Sequence, residues 1–252
     1  NRQIGSSSFT IIAGPCSVES EEQIQKAAAH LKENNVVFLR GGAFKPRSSP
    51  YSFQGLGKKG LELLKKAKER YGLSIVTEVL DTEDIELVAE YADILQIGSR
   101  NMQNYRLLQK AARTNKPILL KRGMSASIDD FLMSAEYILA EGNKNVILCE
   151  RGIKTFETAY RNTLDLTAIP VLKEKTHLPI IVDPSHAAGN RNHVTQLAKA
   201  ALAAGADGII VEMHPDPDKA LSDGKQSLTF EQFSGMVKQL KALAKVEGKE
   251  VC

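Results

Sequence analysis

The sequence lacks any apolar run approaching the roughly 18–20 residues that a membrane-spanning helix needs. It also shows no signal peptide, because residues 1–8 are polar and the apolar stretch 9–13 is too short for a signal-peptide core. Charge of one sign is scarce as well: the net charge is +3, and the basic residues are spread along the chain. We therefore expect neither a membrane nor a nucleic acid as a partner.

Cysteine is rare, with Cys16, Cys149 and Cys252 far apart in the chain. An odd number of scattered cysteines argues against a disulfide framework and for a reducing compartment, so we expect a cytoplasmic protein. No linker or low-complexity segment divides the 252 residues, which predicts a single domain spanning 1–252. The chain does not begin with Met, and a longer parent protein with a further N-terminal domain stays open as an alternative.

Eight short runs rich in Val, Ile and Leu alternate with eight amphipathic segments, which is typical of a parallel sheet covered by helices. The predicted strands are 9–13, 36–40, 74–76, 94–97, 117–121, 145–149, 179–183 and 208–211. The predicted helices are 21–34, 58–71, 82–91, 104–114, 129–141, 162–175, 191–204 and 229–246. Eight of each predict an α/β fold of the (β/α)8 TIM-barrel class.

Every predicted strand is followed by at least one ionisable side chain, and strand ends form the active-site face of such a barrel. The cations in this set are Arg40, Lys45, Arg47, Arg100, Lys121, Arg122 and Arg151. So many cations at one mouth would repel one another without anionic ligands, which guanidinium groups bind through two hydrogen bonds. The pattern predicts substrates with phosphate and carboxylate groups, although each cation alone could instead pair with a helix carboxylate.

A second set at the strand ends consists of Cys16, His186 and Glu212, with Asp223 as a further candidate. Thiolate, imidazole and carboxylate ligands together favour a divalent transition metal. Each residue also has a structural alternative: a lone cysteine is most often a buried apolar residue, and we assign Cys149 to the core on that ground.

Seven segments, in order along nearly the whole chain, resemble the superfamily of 3-deoxy-D-arabino-heptulosonate 7-phosphate (DAHP) synthases and 3-deoxy-D-manno-octulosonate 8-phosphate synthases. They are 12–20 (IAGPCSVES), 39–50 (LRGGAFKPRSSP), 97–104 (IGSRNMQN), 120–124 (LKRGM), 149–156 (CERGIKTF), 182–186 (VDPSH) and 211–215 (VEMHP). Residues 45–50 (KPRSSP) resemble the DAHP synthase version, and Cys16 resembles the metal-dependent members. The short chain resembles the compact β subgroup of type I enzymes, without the ferredoxin-like or chorismate-mutase-like regulatory domain that members often carry.

The resemblance implies a role for each candidate residue. It implies that Cys16, His186, Glu212 and Asp223 bind a divalent metal, with Mn²⁺ expected and Fe²⁺, Co²⁺ or Zn²⁺ as alternatives. The implied phosphoenolpyruvate ligands are Arg40, Arg100, Lys121 and Arg151, and the implied aldose-phosphate ligands are Arg47, Ser48 and Ser49. Lys45 would reach between both substrates. The residues expected to take part in the chemistry are Lys45, Lys121, Glu78 and His186.

The resemblance further implies condensation of phosphoenolpyruvate with D-erythrose 4-phosphate and water, the first step of the shikimate pathway, by a homotetramer or homodimer. The nearest alternative is the octulosonate 8-phosphate synthase, which uses arabinose 5-phosphate. Two more distant possibilities are a Schiff-base aldolase, with Lys121 as the nucleophile, and a barrel that binds phosphate without catalysing a reaction.

Overall fold

The computed structural model describes residues 4–5, 8–47 and 49–252. Within these ranges eight parallel strands form a closed barrel, with β1 hydrogen-bonded to both β2 and β8. The strands are β1 (Ser8–Gly14), β2 (Phe38–Arg40), β3 (Ser74–Glu78), β4 (Ile94–Ile97), β5 (Ile118–Lys121), β6 (Val146–Glu150), β7 (Ile180–Val182) and β8 (Gly208–Glu212). The predicted (β/α)8 class is therefore confirmed.

Helices follow the strands and cover the outside of the barrel. They are α1 (Glu21–Glu33), α2 (Lys58–Tyr71), α3 (Ile85–Tyr91), α4 (Tyr105–Ala112), α5 (Ile128–Leu139), α6 (Ala168–Lys175), α7 (Pro184–Ala188), α8 (Arg191–Ala203) and α9 (Phe230–Val246). Side chains cap the start of several helices: the side chain of Ser20 accepts from the Gln23 amide, and Ser127 forms a capping box with Asp130. Within the described ranges, none of the helices combines the length and apolar character that crossing a bilayer requires.

Some predicted boundaries are wrong. The helix predicted from 162 begins at Ala168, so that Pro170 lies in the first turn, where its missing N–H leaves no helical hydrogen bond unmade. The short helix α7 and a two-residue strand, β9 (Glu250–Val251), are absent from the sequence-based prediction. The strand β9 pairs with the start of β1 and extends the sheet outside the barrel.

Alternation along the strands determines which side chains enter the barrel. One buried apolar cluster fills the barrel interior, formed by Ile12, Phe38, Val76, Ile94, Leu119, Ile147, Cys149, Ile181 and Ile210. The intervening residues, such as Leu39 and Leu120, pack in two other clusters with the helices. Two residues beyond Phe38, Leu119 and Ile210 come Arg40, Lys121 and Glu212, so the same inward face becomes charged at the carboxyl ends of the strands.

Candidate active site

A cavity of about 330 Å³ opens at the carboxyl ends of the barrel strands. Its lining includes seven cationic side chains: Arg40, Lys45, Arg47, Arg100, Lys121, Arg151 and Arg161. Two carboxylates, Glu78 and Asp223, and the imidazole of His186 also line it. The excess of cations makes the cavity a site for ligands that carry more than one negative charge.

Arg40 and Glu212 form a buried ion pair beneath the cavity. Their side chains are 4% and 1% exposed, and Arg40 Nη1 lies 2.5 Å from Glu212 Oε1. The close packing of β1 against β2 beside them requires Gly14, because a Cβ there would lie 2.0 Å from the Arg40 carbonyl oxygen. Gly14 also has a backbone φ of +152°, which residues with a Cβ rarely adopt.

Cys16, from the loop after β1, and Asp223, from the loop after β8, come together with Glu212 of this pair. The three offer ligand atoms that lie within 4.8 Å of one another. Cys16 Sγ donates to Asp223 Oδ2 at 3.3 Å and lies 2.9 Å from Ser222 Oγ. Asp223 has a positive φ of 50°, which turns the loop after β8 at this residue.

The environment has opposite effects on two of these groups. Burial, followed by the charge of Glu212, raises the pKa of the Cys16 thiol to about 12. Burial also opposes ionisation of Glu212, but the charges of His186, Arg40 and Lys45 outweigh it and hold the pKa of that carboxyl below its usual value. At neutral pH the donor set therefore contains a charged carboxylate and a protonated thiol.

The fourth predicted ligand, His186, lies next to this cluster on α7. Its Nε2 atom is 3.5 Å from Glu212 Oε1, and its Nδ1 atom is 2.7 Å from Asp183 Oδ2. The pKa of Asp183 is held well below its usual value because the charges of His186 and Lys121 outweigh the effect of burial. Proximity to Glu212 thus links His186 to the other three candidates.

This donor set fits a divalent transition metal. One sulfur, one imidazole nitrogen and carboxylate oxygens are the ligands that such ions accept, and a cation would replace the proton that Cys16 now shares with Asp223. Outer hydrogen bonds orient the candidate ligands, as metal sites require: Gln226 Nε2 donates to Glu212 Oε2 at 2.7 Å, and Asp183 holds His186. The fit depends on the chemistry of the residues and leaves the identity of the ion open.

The anion-binding side of the cavity lies along β4, β5 and β6. Lys121 Nζ donates to Asp183 Oδ2, and Arg151 Nη1 donates to Asn162 Oδ1 at 2.7 Å. Burial lowers the pKa of Arg151 from its usual value. Arg100 is exposed, and its Nη1 donates to the Pro46 carbonyl oxygen at 2.9 Å, which ties the loop after β4 to the loop after β2.

Two guanidinium nitrogens in this cavity have no protein partner. Among the side chains that the structure describes, Arg40 Nε and Arg47 Nη2 are the buried polar atoms without a hydrogen bond. An unpaired buried donor is costly, and both residues line the cavity. The two nitrogens are therefore available to a ligand.

The long loop between β2 and α2 contributes Lys45, Arg47 and Ser49 to the cavity. Lys45 Nζ donates to the Cys16 carbonyl oxygen at 3.0 Å, so this ammonium lies between the loop and the donor cluster. Arg47 Nε donates to the Phe53 carbonyl oxygen at 3.0 Å. Ser48, the other predicted aldose-phosphate ligand, lies outside the described residues.

Glu78, at the end of β3, lies among these cations. Its side chain is buried and accepts from Gln96 Nε2 at 3.3 Å. Gly98 leaves room for this carboxylate, since a Cβ there would lie 2.0 Å from Glu78 Oε1 and would displace it. Its carboxylate is positioned to accept a hydrogen bond from a molecule in the cavity.

Arg122 and His214, which also follow strands, belong neither to the cavity lining nor to the donor cluster. Arg122 faces outward, where it pairs with Glu150 and Asp165 at 2.9 Å each. His214 Nε2 lies 3.3 Å from Glu19 Oε2, away from the donor cluster. Both have structural partners in the protein, which explains their burial.

One lining residue, Arg161, is missing from the sequence-based prediction. Its Nη1 donates to Gln226 Oε1 at 2.7 Å and to Asp223 Oδ1 at 3.3 Å. It lies in the loop between β6 and α6, far in sequence from any strand end, so proximity to a strand could not reveal it. Gln226 and Ser222 are missing for a similar reason, although both flank Asp223 in the loop after β8.

Comparison with known proteins identifies relatives across almost the whole chain. Residues 2–246 match the model of the DAHP synthetase I family. A phospho-2-dehydro-3-deoxyheptonate aldolase of Thermotoga maritima is 59% identical over 249 residues, which cover 99% of this chain and 74% of the relative. A 2-dehydro-3-deoxyphosphooctonate aldolase of Legionella pneumophila is 33% identical over 258 residues, which cover 95% of this chain and 93% of the relative.

Solved structures show the same likeness. The crystal structure of phospho-2-dehydro-3-deoxyheptonate aldolase (DAHP synthase) from Thermotoga maritima superposes with a TM-score of 0.97 at 59% identity, covering 99% of this chain and 73% of that one. A truncated form of 3-deoxy-D-arabino-heptulosonate 7-phosphate synthase from the same organism gives a TM-score of 0.93 at 55% identity, covering 99% and 91%.

Proposed function

The chain belongs to the DAHP synthetase I family, and from this membership we propose how its barrel mouth condenses phosphoenolpyruvate with D-erythrose 4-phosphate. The products are DAHP and inorganic phosphate, and the reaction opens the shikimate pathway to aromatic amino acids. One observation supports the assignment of the site above all others: a cavity rich in cations adjoins a cluster of Cys16, Glu212 and Asp223. The anionic substrates and a metal ion both find suitable ligands there.

We propose that phosphoenolpyruvate binds deep in the cavity, against Arg40, Arg100, Lys121 and Arg151. Its phosphate and carboxylate require several donors, and the unpaired Nε of Arg40 is one that no protein atom satisfies. Holding both groups fixes the enol carbon for attack on an aldehyde carbon. Water adds to the carbon that bears the phosphate ester, and phosphate leaves by C–O cleavage. The same cations neutralise the negative charge on the oxyanions during these steps.

The aldose phosphate would bind nearer the surface, against Arg47, Ser48 and Ser49. Lys45 lies between this loop and the donor cluster, with its Nζ 3.0 Å from the Cys16 carbonyl oxygen. We propose that it donates a proton to the oxygen of the attacked aldehyde. Glu78 is proposed to order the water that adds to the phosphoenolpyruvate carbon.

The proposed metal ligands are Cys16, His186, Glu212 and Asp223, with Mn²⁺ as the expected ion and Fe²⁺, Co²⁺ or Zn²⁺ as alternatives. The chemistry that such an ion supplies when bound is Lewis-acid polarisation of the aldehyde oxygen or of a water beside it. The protein supplies the orientation, because Arg40 and Gln226 fix Glu212 on both oxygens.

The test is a phosphate-release assay with phosphoenolpyruvate and either aldose phosphate. We expect turnover with erythrose 4-phosphate, its loss after chelation and its return with Mn²⁺. Turnover unchanged by chelation and dialysis would disprove the metal dependence. Preference for arabinose 5-phosphate would instead favour the octulosonate synthase alternative, whose relatives are 33% identical to this chain against 59% for the DAHP synthase.

A second test addresses Lys45. Lys45→Met should lower kcat by roughly 10²–10⁴-fold, because the aldehyde oxygen would lose its proton donor. Near-normal turnover of this variant would exclude Lys45 as the donor. We also propose a homodimer or homotetramer on the basis of the family resemblance, a cytoplasmic location on the basis of the few scattered cysteines, and a single barrel over 1–252 because no linker divides the sequence.

A further inference from the structure

Asp183 is shared by the two halves of the proposed site. It is 1% exposed at the end of β7, and its Oδ2 atom accepts from both Lys121 Nζ and His186 Nδ1. Its Oδ1 atom accepts from the His186 backbone amide at 2.9 Å, which caps α7. One buried carboxylate thus contacts a cation of the anion-binding cavity and a candidate metal ligand.

The contact with Asp183 determines which nitrogen of His186 is available to a metal. A carboxylate only accepts hydrogen bonds, so Nδ1 must carry the proton in this pair. The lone pair of the neutral ring then lies on Nε2, which points to Glu212 Oε1 at 3.5 Å. A charged acceptor on Nδ1 also makes the ring a stronger electron donor.

Because Asp183 also contacts Lys121, the strength of its bond to His186 Nδ1 depends on what is bound in the cavity. Lys121 lines the cavity and is the cation that balances Asp183. An anion bound at Lys121 competes for its ammonium protons, so the charge on Asp183 is less neutralised and its bond to His186 Nδ1 strengthens. By thermodynamic reciprocity, a metal held by His186 then strengthens anion binding to the same extent.

We propose that Asp183 is a positioning residue that couples metal binding at His186 to anion binding at Lys121. The inference rests on the proposed function, because it needs a metal at His186 and phosphoenolpyruvate at Lys121. Its consequence is that each ligand raises the affinity for the other. The site would then assemble fully only when both are present.

The opposite end of the barrel offers a matched control. Asp207 Oδ2 accepts from Lys173 Nζ and from the Ile180 backbone amide. Asp207, like Asp183, accepts from one lysine and one backbone amide. Within the described part of the chain, however, it accepts no hydrogen bond from an imidazole. Asp207→Asn therefore removes a similar carboxylate without touching either subsite.

The experiment compares Asp183→Asn with Asp207→Asn in the full chain after removal of metal. Asparagine keeps the size of aspartate and an oxygen that can cap α7, but it removes the charge and places an NH2 donor where Oδ2 accepts from Lys121 and His186. Co²⁺ affinity is measured from the thiolate-to-cobalt absorption band, with and without phosphoenolpyruvate and with no aldose. Far-UV circular dichroism verifies folding.

In the wild-type protein, phosphoenolpyruvate should raise Co²⁺ affinity by roughly 5-fold or more. Asp183→Asn should lower Co²⁺ affinity by about 10–100-fold and reduce the response to phosphoenolpyruvate. Asp207→Asn should change neither quantity. A wild-type affinity and response in Asp183→Asn would overturn the inference and leave the proposed function standing, whereas no Co²⁺ binding by the wild-type protein would overturn both.

A second variant covers failure of Asp183→Asn to fold. Lys121→Gln leaves Asp183 and His186 in place but removes the ammonium to which the anion is proposed to bind. It should bind Co²⁺ at least as tightly as the wild type, because Asp183 is no longer neutralised by Lys121, with a reduced response to saturating phosphoenolpyruvate. A full wild-type response in this variant would contradict the coupling.

Discussion

The two ends of the barrel interior are filled in opposite ways. At the base, side chains such as Ile12, Ile94 and Ile210 form an apolar cluster. At the mouth, two residues beyond Phe38 and Ile210 of the same cluster, Arg40 and Glu212 are buried as charged groups. Buried charge is costly unless it is paired. The contrast teaches that apolar packing stabilises the base, while the mouth holds paired charges whose remaining hydrogen-bonding capacity is suited to ligands.

The largest effect is expected from Arg40→Met at the mouth. The change leaves Glu212 buried without its guanidinium partner, which should lower the free energy of unfolding by about 3–5 kcal/mol. It also removes a proposed donor to phosphoenolpyruvate, so kcat/KM should fall by roughly 10²–10³-fold. Urea denaturation and phosphate release measure the two losses, with the exposed Arg106→Met as the control. A kcat/KM close to that of the wild type would remove Arg40 from the substrate site.

At the base, Ile94→Ala should affect stability alone. Ile94 is 4% exposed within the interior cluster, and its truncation should cost about 2–5 kcal/mol. The kcat should match that of the wild type at temperatures well below the unfolding transition, because the substitution lies a full layer from the charged residues. If kcat fell as far as in Arg40→Met, the two ends could not be treated as separate.

Acidification should weaken the interactions of the charged residues at the mouth and leave the apolar packing at the base unchanged. The pKa values of Glu212 and Asp183 lie below their ordinary values of 4.5 and 3.8, so on acidification the unfolded chain takes up these protons first. Their stabilising contribution is complete above the ordinary values and is lost as the pH falls toward the folded-state values. Unfolding free energies of the metal-free protein should therefore decline below about pH 5, and less steeply in Glu212→Gln. The exposed Glu69→Gln should follow the wild-type curve.

The same contrast explains what the sequence can predict. The eight strands are readable because buried parallel strands are continuous apolar runs. The location of the site can be predicted because each apolar run is followed by an ionisable residue. Adjacent residues such as Lys121 and Arg122 look equivalent by this criterion, yet strand alternation turns Lys121 into the cavity and Arg122 outward to Glu150. Counting from Leu119, which faces inward, would have separated them.

Residues on long loops could not be found in this way. Arg161 reaches the cavity only because the loop after β6 folds back over the barrel mouth, and no local pattern in the sequence specifies that path. The loop after β8 similarly places Gln226 against Glu212. The strands determine where the site lies, whereas tertiary packing of the loops completes its outer contacts.

The smallest effect is predicted for Cys149, one of two buried cysteines at strand ends. Its comparison with the other, Cys16, tests the contrast most closely. Cys149 belongs to the apolar cluster, and burial raises the pKa of its thiol above the ordinary value, so it stays protonated. Cys149→Ala should cost about 1 kcal/mol and leave turnover and Mn²⁺ activation unchanged. Cys16→Ala should abolish Mn²⁺ activation, since its sulfur lies with Glu212 and Asp223. Equal loss of activity in the two variants would mean that cysteine burial, and not its place in the donor cluster, determines the phenotype.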